Sequence, residues 1–400
     1  MEVIYDKSKQ RVPLKTWCPV DELEESALQQ ALDVCNHPAA FHHVALMPDA
    51  HSGYGLPVGG VAALKNAVSP YMVGVDIGCG MCAVRTQWPL SQVKPLLPEI
   101  ITEIKRTIPM GFAHRTPVNT TSNLWQFMEP LKLKPSVWEG AEEQIGTLGG
   151  GNHFIEIQKD RADEVWLMVH SGSRNIGHRV CSHFHKVALE LNQRYHSALP
   201  NDQVAFLPLQ TPEGRAYLEA MEYCLLFAKQ NRMAIMYLAS QAMRKFLGSQ
   251  FEWNWETVLN IHHNYAAIEN HFGQNVVVHR KGATLAREGT EGIIPGSMGT
   301  ESYLVRGLGN PDSFHSCSHG AGRRMSRTAA KQTIPMDTFE KSMEGITFTP
   351  TPQTLDESPA AYKDIHRVMA QQSDLATPVV TLRPVAPIKD DTPRKRRPKK

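Results

Sequence analysis

The chain has 400 residues, 42% hydrophobic and 20% charged, enough to bury the core of one large domain or of two to three ordinary ones. Its formal net charge of +2 hides an asymmetry: the run Pro393-Arg394-Lys395-Arg396-Arg397-Pro398-Lys399-Lys400 carries six Lys/Arg, and the 36 cations left against 40 acids give a balance of −4. A general polyanion binder is therefore excluded, and any nucleic-acid contact by the body must come from local basic patches, with the tail as a separate one.

Seven cysteines occur with no framework spacing. The opening Met1-Glu2-Val3-Ile4-Tyr5-Asp6-Lys7 is charged and lacks the apolar core of a signal peptide. No apolar run approaches the roughly 20 residues of a membrane span. A soluble, cytoplasmic protein of a reducing compartment is expected, in which Cys is a metal ligand or buried filler and not half of a disulfide.

In chain order, a helix is expected from Val20 through Val34, rich in Glu, Leu and Ala. Residues 45–90 then turn to Gly, Pro and short apolar runs, the pattern of strands and tight turns. Helical spacing returns from Ile100 through Ile108, and 118–139 is polar and loop-like. Residues 146–180 are Gly-rich around one clear short strand, Val165-Trp166-Leu167-Met168-Val169. The best helical stretch is 212–247, opened by a Thr211 N-cap and Pro212 at the first helical position, and it reads as one helix or two. Strands and Gly-rich loops fill 257–330, and a further helix is expected at Ala360–Gln372. The basic tail is expected to be disordered.

Gly-rich, His-rich segments recur in four separated places. Glycine lets backbone approach a ligand closely, so this distribution points to one composite site assembled by folding. The first segment contains Asp76 and Cys79, three apart across glycines, able to turn a carboxylate and a thiolate toward one ion or simply to form a turn around a buried Cys. The second, Gly146-Thr147-Leu148-Gly149-Gly150-Gly151-Asn152-His153, is no P-loop, since GxxxxGKS/T is absent, but its amides can cradle phosphate. In the third, His170 ends an apolar strand and Arg174 lies in the loop beyond, suited to forked contact with phosphate. The fourth holds His263 and Ser318-His319-Gly320-Ala321-Gly322-Arg323, where a histidine beside glycines and an arginine can accept a phosphoryl or nucleotidyl group. Any one of these histidines alone reads more simply as packing or capping; together they carry more weight. Asp76, Cys79, His153, His170 and His263 form a borderline N/S/O donor set that suits Zn²⁺, Mn²⁺, Fe²⁺ or Co²⁺. Cys79-Gly80-Met81-Cys82 has C-x-x-C spacing, but no second pair completes a four-cysteine site.

The strings VGVDIGCGM, GTLGGGNHFIEI, HSGSRNIG, HHNYA, PGSMGTESYLVRGLGN and SCSHGAGRRMSR, in this order, resemble the RtcB family of RNA ligases from about Val44 to Lys389. The resemblance implies an α+β fold in a single large domain, 1–389, followed by the basic tail at 390–400. It implies two Mn²⁺ ions and GTP as cofactors. Cys79 would bridge the ions, with Asp76 and His153 completing one site and His170 and His263 the other. His319 would become guanylylated. Asn152, Phe154, Glu156, Asn264, Pro295, Gly296, Ser297, Met298, Ser302, Gly320, Ala321, Gly322, Tyr362 and Lys389 would line the nucleotide pocket, and Arg174 and Arg323 would meet RNA or phosphate. The implied reaction joins an RNA 3′-phosphate or 2′,3′-cyclic phosphate end to a 5′-hydroxyl end, through GMP-histidine and RNA-ppG intermediates, in RNA repair or tRNA splicing, with or without a helper protein.

Two departures suggest a divergent paralogue. Many relatives carry Lys where this chain has Tyr54, which removes one cation from the RNA path, and Lys389 is followed here by Asp390-Asp391-Thr392 and the tail. Two other readings compete: a metal-dependent phosphoesterase for RNA cyclic phosphates, which needs the ligands but not His319, and a non-catalytic RNA-repair scaffold, which needs neither.

Overall fold

The computed structural model describes residues 1–115, 140–248 and 255–392. Two expectations, the loop at 118–139 and the disorder of the tail from residue 393 on, lie outside the described residues. Within them the fold is α+β, built on two large sheets. One has six strands in the order Glu2–Ile4, Leu14–Thr16, Ala40–Tyr54, Leu56–Leu64, Gln274–Lys281, Asn264–His271. The other has seven, in the order Leu259–His262, Gly80–Pro89, Glu164–Ser171, Phe154–Lys159, Ala376–Ile388, Ser302–Gly307, Glu291–Ile294. The central strands are nearly continuous apolar runs because both faces are covered; Leu56–Leu64 is buried along almost its whole length.

The sheets meet where the site lies. Leu259–His262 pairs with Gly80–Ala83 in the second sheet, and Asn264–His271 pairs with Gln274–Lys281 in the first. His263 alone separates the two strands, its N–H bonded to the Cys79 carbonyl at 2.9 Å. In the first sheet, the pairing of Ala40–Tyr54 with its neighbour shifts between Leu46 and His51 and again before Tyr54. Such irregularities bend a strand and re-aim its side chains, here around Asp49 and His51.

Helices cover the sheets. Leu97–Thr107 buries Leu97, Ile100 and Ile104, one stripe at helical spacing, against the second sheet. The stretch expected as one or two helices is a single helix of 36 residues, Pro212–Leu247, capped by the Thr211 hydroxyl and ended by Gly248 at φ 87°. Its buried stripe includes Asn231 and Arg232, which break the apolar periodicity without breaking the helix. Two helix boundaries move. Val20–Glu22 is a 3₁₀ turn and the helix proper is Glu25–Cys35, since Glu24 is extended. Pro359–Ala361 is likewise a 3₁₀ turn before Ile365–Gln371, whose Asp364 N-cap accepts from the His366 N–H. Asn175–Arg194, a helix of 20 residues, had no expectation attached; it follows the HSGSR loop directly and is rich in polar and His residues. No helix among the described residues is long and apolar enough to cross a membrane.

Candidate active site

The four Gly-rich segments converge on one cavity of about 370 Å³, a volume suited to a small-molecule ligand. At its base stand two overlapping donor triads, Asp76–Cys79–His153 and Cys79–His170–His263, whose ligand atoms all lie within 4.8 Å of one another in each triad. Cys79 Sγ is shared, 3.5 Å from His153 Nε2 and 3.2 Å from His170 Nε2. His153 Nε2 is 3.0 Å from an Asp76 carboxylate oxygen, and the His170 and His263 Nε2 atoms are 3.4 Å apart. The tautomer of His170 explains this crowding: its Nδ1–H donates to the Asn152 carbonyl at 3.0 Å, which leaves a bare Nε2 lone pair facing sulfur and a second imidazole. Nitrogen, sulfur and oxygen donors converging in this way suit borderline divalent metal ions, with Cys79 common to both triads.

Burial sets the electrostatics. It pushes the Cys79 thiol well above its usual range, an effect the Asp76 charge reinforces. It holds His170 and His263 neutral, helped by neighbouring imidazoles. Burial opposes ionisation of Asp76 too, but the hydrogen bond and charge of His153 bring the net shift below the ordinary carboxylate range.

His319 stands beside this cluster, its ring centroid 4.8 Å from that of His263. Its Nδ1–H donates to Asp49 Oδ2 at 2.7 Å, and the same oxygen accepts the backbone N–H of His319 at 3.1 Å and of Gly320 at 3.3 Å. Asp49 is fully buried. Burial disfavours its charge, but the His319 ring and hydrogen bond hold its carboxyl below the usual range. In the neutral ring this contact fixes the tautomer whose lone pair is on Nε2, the arrangement of an oriented nucleophilic imidazole. Gly282, at φ 59°, allows the close approach: a Cβ there would overlap Val58 and come within 3.0 Å of His319 Cε1.

Of the residues expected in the nucleotide pocket, Asn152, Phe154, Glu156, Asn264, Pro295, Gly296, Ser297, Met298, Gly320, Ala321, Gly322, Tyr362 and Lys389 all line the cavity. Ser302 does not. Its hydroxyl is buried behind the wall, accepting from Gln158 Nε2 at 3.1 Å and from the Gly296 N–H at 3.2 Å. Glu156 is enclosed, and burial raises its carboxyl to about 8 against the opposing effects of Gln158 and Lys389. Lys389 sits over the Phe154 ring at 5.6 Å and pairs with Glu357 at 2.8 Å.

The two expected arginines have different surroundings. Arg323 lines the cavity and reaches Glu357 and the Tyr362 hydroxyl, each at 3.2 Å. Arg174 is outside the lining; it donates to Thr147 Oγ1 at 3.0 Å and the Gly111 carbonyl at 2.9 Å, clamping the Gly-rich loop.

The sequence reading did not assign Asp49, Lys281, Arg327, Glu357, Asn231 or Arg232. The first four belong to the cavity or its wall. Glu357 sits among Lys389, Arg327 and Arg323; burial opposes its charge, yet those cations bring it down to about 2. Asn231 and Arg232 reach the site from the long helix. Asn231 accepts from Gly146 N and Thr147 N and donates to the Thr147 and Gly172 carbonyls. Arg232 donates to the carbonyls of Gly78 at 2.9 Å and Ser171 at 3.0 Å and to Asn260 Oδ1 at 2.8 Å.

Comparisons with known proteins agree with this picture. A family model described as tRNA-splicing ligase RtcB matches residues 30–139 and 122–390. The RNA-splicing ligase RtcB of Escherichia coli (strain K12) is 39% identical, over 95% of this chain and 98% of its own length. The tRNA-splicing ligase RtcB of Pyrobaculum aerophilum is 31% identical over 96% of each chain, and that of Archaeoglobus fulgidus 33% identical over 85% of this chain and 86% of its own.

Proposed function

The chain belongs to the RtcB family, and on that premise we propose that it is a GTP-dependent RNA ligase. It joins an RNA 3′-phosphate or 2′,3′-cyclic phosphate end to a 5′-hydroxyl end in RNA repair or tRNA splicing, in the cytoplasm. The observation that carries the proposal is His319: its Nδ1–H is held by buried Asp49, and its ring adjoins a five-residue donor cluster at the base of a nucleotide-sized cavity.

His319 Nε2 attacks the α-phosphorus of GTP; the bond to the β-phosphate oxygen breaks and pyrophosphate leaves. Positive charge that develops on the imidazole is met by Asp49 through Nδ1–H. A terminal oxygen of the RNA 3′-phosphate then attacks the same phosphorus, the N–P bond breaks, and RNA-ppG forms. The 5′-hydroxyl oxygen attacks the RNA phosphorus, its proton is lost, and GMP leaves as the phosphodiester forms. A cyclic phosphate is first hydrolysed to the 3′-phosphate. Two Mn²⁺ ions on Asp76, Cys79, His153, His170 and His263 would neutralise phosphate charge and orient the oxygens. Glu156 accepts from the guanine N–H groups, Phe154 and Tyr362 offer ring faces, and Lys389 closes the far wall. Arg323 and Arg327 supply the cations nearest the phosphates, and Arg174 acts on them by holding the Gly-rich loop.

The test is incubation with α-labelled GTP and Mn²⁺, followed by RNA joining. An acid-labile label on the wild type, absent from His319→Ala with its manganese content near normal, is expected. Hydrolysis of cyclic phosphate without any label would favour the phosphoesterase, and RNA binding with neither would favour the scaffold.

A further inference from the structure

Tyr54 ends the strand Ala40–Tyr54 and stands at the cavity. Of the exposed large apolar side chains among the described residues, it alone lines the cavity, and it is 63% exposed. Scattered exposed apolar side chains need no explanation; one fixed at the mouth of a reaction chamber is different.

Its backbone is pinned on every side. Gln30 brackets the preceding residue, accepting from Gly53 N at 3.0 Å and donating to the Gly53 carbonyl at 2.7 Å. Gly55 N donates to Gln203 Oε1 at 2.9 Å. The Lys281 ammonium donates to the Tyr54 carbonyl and, at 3.3 Å, to that of Tyr71. The Tyr71 ring lies 6.4 Å from that of Tyr54 with the planes tilted by 50°, and Tyr71 is itself stacked on His185, centroids 3.5 Å apart and planes within 7°. A tyrosine on a backbone pinned in this way has only its two side-chain torsions to fix on stacking.

Resting on the ligase reading, we propose that Tyr54 is a stacking platform for the unpaired terminal base of one RNA end. Aromatic stacking accepts any base, because every base has a π-face. The platform therefore supplies affinity for the end of a strand and not for a sequence. Tyr54 is a substrate-binding residue in this scheme and takes no part in proton or phosphoryl transfer.

Full-length wild type, Tyr54→Phe and Tyr54→Ala are compared with two RNA strands, one carrying 2-aminopurine at its 3′-phosphate end and the other at its 5′-hydroxyl end. For one strand, the wild type and Tyr54→Phe quench the fluorophore on binding and Tyr54→Ala does not; that strand identifies the bound end. The KM of the same strand rises roughly tenfold in Tyr54→Ala, with a smaller change in kcat. An abasic terminal nucleotide abolishes the difference between variants, an outcome that loss of structure alone does not produce. Equal quenching and equal KM for wild type and Tyr54→Ala with both strands overturn the platform and leave the ligase reading intact. A wild type that takes no label from GTP and joins no RNA overturns the ligase reading, and the platform with it.

Discussion

At the scale of single residues, the chemistry proposed for His319 depends on a carboxylate 270 residues away. Asp49→Asn keeps an acceptor oxygen for the ring and for two backbone N–H groups but removes the negative charge that meets the developing imidazolium. The expected result is a guanylylation rate lower by roughly 10²–10⁴-fold with manganese content unchanged, read from α-labelled GTP and metal analysis; a near-normal rate would show that Asp49 serves only the fold. Glu156 offers a second prediction, with a sign fixed by its environment. Burial raises its carboxyl to about 8, so at pH 7 the empty site holds it mainly protonated. Guanine N–H donors need the carboxylate, so GTP uptake should release a proton, and affinity should rise with pH until about 8. Calorimetry in two buffers of different ionisation enthalpy measures that proton. Glu156→Gln should abolish the buffer dependence and weaken GTP by roughly ten- to hundredfold, as loss of a charged hydrogen-bond partner does. Buffer-independent heats in the wild type would remove this account. These residues differ in how readable they were. His319 stands inside a Gly-rich string where composition and resemblance agree, whereas Glu156 is marked by the resemblance alone. Asp49 sits in such a string, MPDAHSG, but nothing local says that its partner is a histidine from the far end of the chain. Lys281 and Glu357 are ordinary charged residues until folding buries them against the cavity.

At the scale of elements, the site is held by one helix as much as by its loops. Arg232 is fully buried, and its guanidinium ties Gly78 to Ser171, the residues that flank Cys79 and His170. The prediction is that Arg232→Met, though close in volume, costs about 3 kcal/mol or more, because it strands several buried carbonyl and amide oxygens at ~1–3 kcal/mol each. Denaturant unfolding and metal analysis should both show the loss; unchanged metal content would mean that the loops hold themselves. Elements whose periodicity is uniform were legible, such as the stripe of Leu97–Thr107 and the strand Glu164–Ser171. The long helix was ambiguous for the same reason that it matters. Asn231 and Arg232 interrupt its apolar stripe, and only their partners, 28 to 154 residues distant in sequence, account for them. Asn175–Arg194 escaped notice because its buried stripe of Ile176, Val180, Ala188 and Leu191 is interrupted by Gly177, His185 and Asn192.

At the scale of the whole molecule, the donor cluster joins parts of the chain that nothing else requires to meet. Asp76 and Cys79 precede the strand Gly80–Pro89, His170 ends Glu164–Ser171 in the same sheet, and His263 sits where the chain passes from that sheet to the other. Without metal, the cluster crowds three imidazoles, those of His170 and His263 held neutral, together with a protonated thiol and a carboxylate into the interior. On the proposed reading, Mn²⁺ held by these five residues would replace those contacts with bonds that span both sheets, so metal binding and global stability would be linked. At a free metal concentration one hundred times Kd, a single site contributes about 2.7 kcal/mol, and in a chain of this size that is a rise of a few degrees in Tm. The linkage has a pH sign as well. Burial holds the Cys79 thiol protonated well above its usual range, so binding must release that proton, and affinity should increase as pH rises. Because Cys79 Sγ belongs to both triads, Cys79→Ala should lose most of the stabilisation, whereas His153→Ala should keep the share that comes from His170 and His263. Thermal melts of chelated and Mn²⁺-loaded protein at pH 6.5 and 8, for wild type and both variants, test the whole scheme. A Cys79→Ala protein that gains as much Tm from Mn²⁺ as the wild type would show that the two triads do not share the sulfur, and the bridging role would have to be withdrawn.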